Sequence, residues 1–433
     1  MLGAFVNAFR TPDLRRKLLF VLGIVVLFRL GSALPAPGVN VSNVQTCLNQ
    51  AQADANSVVS LVNVFSGGAL LQLTVFALGI MPYITASIMV QLLTVVIPRL
   101  ETLKKEGQAG QQKITQYTRY LTLRLALLQA TGIVALARSG QLFGGSCTLP
   151  LLYNPDDIFG FLLIVITMMA GTAIIMWFGE LITDRGIGNG MSILIFTQVV
   201  ATFPSAMFTI LQQNGTFTFL LVVVVGLGVV AGVIFMEQAQ RRIPVQYARR
   251  MVGRRMFGGS STYIPIKVNQ AGIIPVIFAS SLLYLPALAS QFNPDAGWSA
   301  WVAGYFTTGD NPLYMLVYFA LIVFFTYFYV SITFNPQEVA DNMKKYGGFI
   351  PGIRAGKPTE EYLGFVLSRI TFPGAMYLGI ISMIPLVALV LLNADQNFPF
   401  GGATILIIVG VGLDTVKQIE SQLQQRNYEG FLR

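Results

Sequence analysis

Long runs without a single charged residue dominate this sequence and constrain its fold more than any other feature. They lie at residues 55–98, 158–179, 186–236, 268–294, 311–337, 370–394 and 396–413. A helix needs about 20 mostly apolar residues to cross a membrane, where its backbone polar groups must be bonded within the segment. Only 11% of the residues are charged, against about 25% in a soluble domain. The chain is therefore expected to be an all-α membrane protein.

Division of these runs at charges and turn-like clusters predicts ten spans. Arg29 lies within the first of these spans and Arg124 within the third, and the 51-residue run 186–236 is divided at the QQNGT cluster of residues 212–216. The predicted spans are 18–34, 74–97, 117–137, 157–180, 187–208, 217–236, 269–289, 313–333, 367–391 and 400–418.

Positive charge predicts the orientation of these spans. An even number of spans places the segment 1–17 and the tail 419–433 on one side. With that side in the cytoplasm, 26 of the 28 Lys and Arg residues are cytoplasmic, as the positive-inside rule requires. No A-x-A-like cleavage site follows the first span, so this span is interpreted as an anchor rather than a signal peptide.

A short apolar segment inside the run 55–98 does not fit a plain bundle of spans. The run has 44 residues, too many for one span, and contains no polar turn that would make two. Within it, residues 58–73 would reach only about 24 Å as a helix, short of the roughly 30 Å hydrocarbon core. Such a segment is predicted to be re-entrant, surrounded by protein or a water-filled cavity. An amphipathic helix on the outer surface is the alternative.

An internal repeat indicates two related halves. Residues 79–87 read GIMPYITAS and residues 272–280 read GIIPVIFAS, with six of nine positions identical. Each copy lies in the second span of its set of five. Because five spans are an odd number, the halves 18–211 and 212–418 must run oppositely through the membrane. Inverted repeats place the functional path at the interface between the halves.

The predicted spans offer no group for catalysis or ion coupling. The sequence contains no histidine, no HExxH and no GxSxG motif, and the span centres are nearly free of charge. Ion-coupled transporters and pumps need ionisable groups there. No metal and no cofactor is therefore expected, and a passive conduit or a scaffold is favoured. An inverted-repeat secondary transporter remains the alternative, and an intramembrane enzyme is disfavoured.

Two long loops carry much of the positive charge. They span residues 237–268 and 334–366 and include the Arg pairs 241–242, 249–250 and 254–255. Basic loops bind anionic lipid, RNA phosphate or an acidic protein face. The second loop contains the turn-rich GGFIPGIRAG, which is more typical of a shaped, protruding loop than of a flat amphipathic helix.

Several long motifs follow one another from about residue 10 to about residue 430. They include FSGGAL, FALGIMPYITASI, KKEGQAGQQKITQYTRY, GIGNGMSILIF, QRRIPVQYA, VNQAGIIPVIFASSLL and DNMKKYGGFIPGIRAG. Together they resemble the bacterial SecY family of protein-conducting channels. The resemblance implies an hourglass of ten spans, hinged between spans 5 and 6. It also implies a pore-forming translocase subunit that passes unfolded secretory polypeptides across the bacterial plasma membrane and releases membrane helices sideways.

The resemblance implies roles for particular residues. Aliphatic side chains form a ring that seals the waist of the hourglass, at Ile80, Ile84, Met191, Ile195, Ile277 and Ile407. Such a ring gates by dewetting. The segment 61–71 corresponds to the plug that blocks the outer funnel, and it includes Phe65, Ser66, Gly67, Gly68 and Ala69.

Surfaces for partners are implied in the same way. Spans 2 and 7 correspond to a lateral gate, whose polar cluster matches Thr85, Gln129 and Asn269. The two basic loops correspond to the docking site for the SecA motor ATPase and the ribosome, with contacts at Arg241, Arg242 and Arg354. The small membrane subunits SecE and SecG, signal-bearing preproteins and anionic lipids are the other expected partners.

The two cysteines, Cys47 and Cys147, are both predicted on the outer side of the membrane. That compartment is oxidising, so a bond between them could persist. A disulfide is hypothesised on this location alone, and a pair of free thiols is the alternative.

Overall fold

A computed structural model describes residues 9, 11–51, 68–138, 142, 149–154, 157–247, 250–252, 255–257, 261–292, 297–302, 304–305, 311–392 and 402–431. The helices are α1 (Pro12–Ala33), α2 (Val41–Ala51), α3 (Met81–Val96), α4 (Pro98–Lys105), α5 (Gln108–Arg138), α6 (Ile158–Arg185), α7 (Gly190–Gln238), α8 (Ile274–Phe292), α9 (Gly297–Val302), α10 (Pro312–Thr333), α11 (Pro336–Lys345), α12 (Lys357–Leu392) and α13 (Gly402–Phe431). The strands are β1 (Gln240–Tyr247), β2 (Arg250–Val252), β3 (Arg255–Phe257), β4 (Ser261–Lys267) and β5 (Gly348–Phe349).

The length and apolar composition of the helices are those of a membrane-embedded fold. Within the described residues, five helices are long and apolar enough to cross a membrane, or six if the bent pair α3–α4 counts as one span. The predicted division of the run 186–236 is confirmed, because Gly215 in α7 has φ 76° and ψ 174°. That backbone conformation is open to glycine and lies far from helical values.

The expectation of an all-α chain is wrong for one part of the molecule. Strand β1 pairs antiparallel with β4 along its length, and β5, from a loop some 100 residues later, joins the other edge of β1. In β1 the buried Ile243 and Val245 alternate with exposed neighbours, the period-2 pattern of a half-buried strand. The strands lie outside every predicted span, so water can satisfy their open edges.

The two copies of the sequence repeat share a local backbone geometry. Gly79 and Gly272 both have positive φ, 56° and 61°. In each copy a helix begins two residues later, α3 at Met81 and α8 at Ile274, with proline as its second residue. Proline is well tolerated at this position, because the first amides of a helix lack intrahelical acceptors.

The same geometry corrects the predicted starts of spans 2 and 7. Those spans were expected from residues 74 and 269, but residues 74–80 and 269–273 are bridge, turn and bend residues rather than helix. The reason is the left-handed glycine in each copy, which an apolar run does not reveal.

The turn segment 68–80 is enclosed by helices. The amide of Ala36 donates to the carbonyl of Leu73 at 3.0 Å, and the amide of Val75 donates to the carbonyl of Leu34 at 2.9 Å. The rings of Phe28 and Phe76 stack at 5.8 Å. These bonds supply the partners that non-helical backbone requires at membrane depth.

Close approach of α6 to this segment depends on a glycine. A methyl group at Gly171 would overlap with the carbonyl oxygen of Val75, a backbone atom that cannot rotate away. We therefore expect Gly171→Ala to destabilise the protein by about 1–3 kcal/mol through overpacking. The measurement is the midpoint of thermal aggregation of the purified protein in detergent.

The matched control is Gly23→Ala on α1, where an added methyl group meets nothing within 4 Å. We expect this variant to unfold at the parent temperature or above it, since alanine favours helix over glycine. Equal midpoints for the two variants would contradict the packing argument.

Candidate functional site

Five of the six residues of the predicted ring lie in two overlapping apolar clusters built from distant parts of the chain. Two clusters of apolar side chains, called the waist clusters here, overlap at Ile195 and Val411. The first cluster also contains Ile80, Ile84 and Met191, and the second contains Ile407. Ile277 on α8 is 3% exposed and lies outside the described members of both clusters. Predicted spans 2, 5 and 10 therefore meet at the waist clusters.

Glycines position the start of α7 at the waist. A methyl group at Gly190 would overlap with the carbonyl of Gly179 on α6, and one at Gly179 would overlap with the sulfur of Met191. The Asn189 side chain accepts a hydrogen bond from the Met191 amide at 3.1 Å and caps the helix. Because residues four apart share a helix face, Met191 and Ile195 point the same way.

The waist clusters contain aliphatic, aromatic and methionine side chains. Neighbouring Gln198 on α7 is fully buried, and the described residues offer no hydrogen-bond partner to either polar atom of its amide. Sequence reasoning missed Gln198, although it is the only polar amide between Ile193 and Pro204. A ring of apolar side chains around a pore would exclude water and ions.

The three predicted gate residues are not joined by hydrogen bonds in the described structure. The Thr85 hydroxyl donates to the Met81 carbonyl of its own helix at 2.9 Å. The Asn269 amide donates to the Glu237 carboxylate at 2.5 Å, so it links the turn before α8 to the end of α7. Gln129 is half-buried on α5, and α5 contacts α8. Sequence reasoning missed Glu237, because the two residues lie 32 positions apart.

Most of the predicted plug lies outside the described residues. Phe65, Ser66 and Gly67 belong to that part. Gly68 has φ 86° and begins the enclosed turn segment, and Ala69 is 1% exposed. The Ala69 carbonyl accepts hydrogen bonds from the amide and the hydroxyl of Thr74, both at 3.3 Å.

The two basic loops form a single folded body, called the platform here and made of β1, β4, β5 and α11. The register pairs Gln246 with Phe349 and Tyr247 with Gly348. Beneath the strands, ten buried apolar residues pack together: Ile243, Val245, Ile266, Ala271, Val330, Met343, Ile350, Leu363, Val366 and Leu367. This core holds the two loops together, a contact that the loop sequences did not predict.

The predicted docking arginines lie exposed on the platform or at its edge. Arg241 and Arg242 are adjacent on β1, and the Arg242 guanidinium carbon lies 5.0 Å from the centre of the Tyr263 ring on β4. Arg354 lies in the turn after β5, where its carbonyl accepts the Thr359 hydroxyl at 2.8 Å. The turn is therefore held in place while the guanidinium faces solvent.

Acidic and sulfur ligands do not gather in the described parts of the chain. Within the residues that the structure covers, no group of three or more His, Cys, Asp or Glu could hold a metal ion. Cys47 on α2 is fully buried, and Cys147 lies outside the described residues.

Comparison with known proteins gives a consistent result. A family model described as SecY matches residues 74–416. The chain is 66% identical, over the full length of both chains, to the protein translocase subunit SecY of Streptomyces galbus. It is 60% identical, again over the full length of both, to the protein translocase subunit SecY of Mycobacterium tuberculosis.

Solved structures share the fold. A structure of a protein-conducting channel superimposes with a TM-score of 0.62 at 17% identity, covering 94% of this chain and 91% of the other. Sec61 in a canine ribosome–channel complex from the endoplasmic reticulum gives a TM-score of 0.58 at 16% identity, with the same coverage. At such identities the likeness concerns the fold alone.

Proposed function

The chain belongs to the SecY family of protein translocase subunits, and from this premise we propose that it forms the pore for unfolded secretory polypeptides. The observation that carries the proposal is the meeting of three predicted spans at the waist clusters. Apolar side chains there can part around a passing chain without binding its sequence. They close again by excluding water.

Ten spans in two inverted halves are part of the proposal. The ten predicted spans correspond in order to α1, α3, α5, α6, the two parts of α7, α8, α10, α12 and α13. The shared geometry at Gly79 and Gly272 supports a common origin of the halves. With both termini in the cytoplasm of a bacterial cell, the platform also faces the cytoplasm. The plug assignment rests on the family alone.

The platform has the exposed positive charge of a docking surface for a partner that drives transport. Its exposed arginines, Arg241, Arg242 and Arg354, present positive charge on a body with its own core. Such a surface binds an acidic protein face or RNA phosphate, which fits the SecA motor and the ribosome. Two of the similar structures are described as ribosome complexes of Sec61 and of yeast Ssh1.

SecE and SecG are the proposed membrane partners, and α3 and α8 form the proposed lateral gate.

Energy comes from outside the chain in this proposal. The protein acts as a passive conduit without a catalytic or nucleotide site of its own. An inverted-repeat secondary transporter is not supported, because the relatives are translocase subunits.

A crosslink tests the path of the polypeptide. After replacement of Cys47 and Cys147 by alanine, one cysteine is placed at Ile84, and a secretory chain with one cysteine is stalled in mid-passage. We expect a disulfide between the two that requires a functional signal sequence. The matched control is Ile174→Cys on the exposed side of α6, where no crosslink is expected.

Two further positions extend the crosslinking test. Cysteines at Ile277 and Ile407 should react with the stalled chain if both line the waist. Normal export without a crosslink at any of the three positions would place the path elsewhere and overturn the proposed pore.

Reversal of one platform charge tests the docking surface. We expect Arg354→Glu to lower motor-driven export into membrane vesicles at least tenfold, because the new carboxylate repels an acidic partner. Lys113→Glu is the control and should leave export unchanged, since it makes the same charge change at an exposed position on α5, outside the platform. Thermal stability should equal that of the parent in both variants. Normal export by Arg354→Glu would remove this residue from the contact.

A disulfide between Cys47 and Cys147 is proposed on the outer side. Cys47 is not a free thiol in the structure, and Cys147 is the only other cysteine in the sequence. The bond would join α2 to the loop after α5. We expect no thiol to react with an alkylating reagent in denatured, unreduced protein and both to react after reduction. Alkylation of two thiols before reduction would contradict the bond.

A further inference from the structure

One buried polar side chain in the first half has no partner at either end of its amide. Gln198 on α7 is 0% exposed, and neither its amide nitrogen nor its amide oxygen bonds to any described residue. Of the buried side chains in the described parts of the chain, Gln198 alone lacks a partner at two polar atoms. A buried amide without partners costs free energy, so its retention inside a predicted span points to a function.

The neighbouring hydroxyl side chains of α7 are bonded within their own helix. Thr197 and Thr202 donate to the carbonyls of Ile193 and Val199, at 2.8 and 2.9 Å. A short hydroxyl can reach back to the preceding turn in this way. Glutamine has two donors and an acceptor at the end of a longer side chain, and its own helix meets neither group of Gln198.

Gln198 lies on the face of α7 that contributes to the waist clusters. It follows Met191 by seven residues and Ile195 by three, and these spacings place side chains on one face of a helix. Val199, the next residue, is fully buried in the second waist cluster, and Leu194, one turn earlier, is fully buried in the first. The unpaired amide therefore lies among residues of both waist clusters.

The predicted orientation places this amide just beyond the ring. With the N-terminus in the cytoplasm, the fifth span runs outward. Gln198 then lies about 4.5 Å farther out than Ile195 along the helix. A polypeptide that passes the ring from the cytoplasm would meet the Gln198 amide next.

We propose that Gln198 contacts the polypeptide in the open waist, where its amide pairs with backbone N–H and C=O groups of the extended chain. The inference rests on the proposed pore. An unfolded chain presents a donor and an acceptor at every residue except proline, and a constriction that excludes water leaves them without partners. A primary amide offers both kinds of partner. It carries no net charge, so it favours peptide groups of any sequence over ions.

The same amide shifts the balance between the closed and the open waist. In the closed waist the amide of Gln198 is buried and unpaired, and in the open waist it meets peptide groups. The closed state therefore bears a free-energy cost that opening removes. Methionine has a similar length and adapts to irregular apolar surroundings, so Gln198→Met would remove this cost and keep the waist closed more firmly.

Conductance of the full-length chain, purified with its membrane partners, tests this role. Current across a planar bilayer is recorded while a synthetic signal peptide is added. We expect Gln198→Met to lower the open probability about fivefold, since one unpaired amide no longer burdens the closed state. The midpoint of thermal aggregation should rise for the same reason. An unchanged open probability would mean that the amide has a partner in the closed waist, such as a buried water, and would overturn the proposal.

The matched control is Gln112→Met, which makes the same chemical change at an exposed position on α5, outside the waist clusters. We expect this variant to keep the open probability and the thermal midpoint of the parent. An equal loss of opening in the control would show a general effect of the substitution and would also overturn the role of Gln198.

A crosslink tests the contact with the passing chain. In the background without Cys47 and Cys147, Gln198→Cys should form a disulfide with the cysteine of the stalled secretory chain. Val200→Cys is the control on the exposed side of the same helix, where no crosslink is expected. A crosslink at Ile84 without one at Gln198 would leave the proposed pore standing and overturn this contact. Absence of both crosslinks would overturn the pore and this inference together.

Discussion

The whole structure depends on one constraint, that backbone amides and carbonyls inside a membrane must find partners within the protein. Helices satisfy it locally, whereas the turn segment 68–80 does so only in part. It is tolerated because the end of α1 supplies partners through Leu34 and Ala36, and because α6 approaches closely at Gly171. Irregular backbone beside the waist therefore requires a tightly packed first half around it.

Much of this architecture could be predicted from the sequence, because it follows from local rules. The break in α7 was predicted from the QQNGT cluster, and the structure places a left-handed residue at Gly215. Waist residues of spans 2, 5 and 10 were named from the family resemblance and do meet. The starts of α3 and α8 were missed, since Gly79 and Gly272 sit in runs that look continuously apolar.

The features that sequence reasoning missed are non-local. Joining β5 to β1 needs a pairing between loops about 100 residues apart, and no local pattern contains that information. The partner of Asn269 is Glu237, which precedes the β1–β4 hairpin, whereas Asn269 follows it.

Joining of the two loops has a mechanical consequence. The β1–β4 hairpin connects α7 to α8, and β5 lies between α11 and α12. Predicted spans 6 to 9 are therefore all connected at one end to the platform. A force applied to the platform would therefore act on these four spans together rather than on one of them.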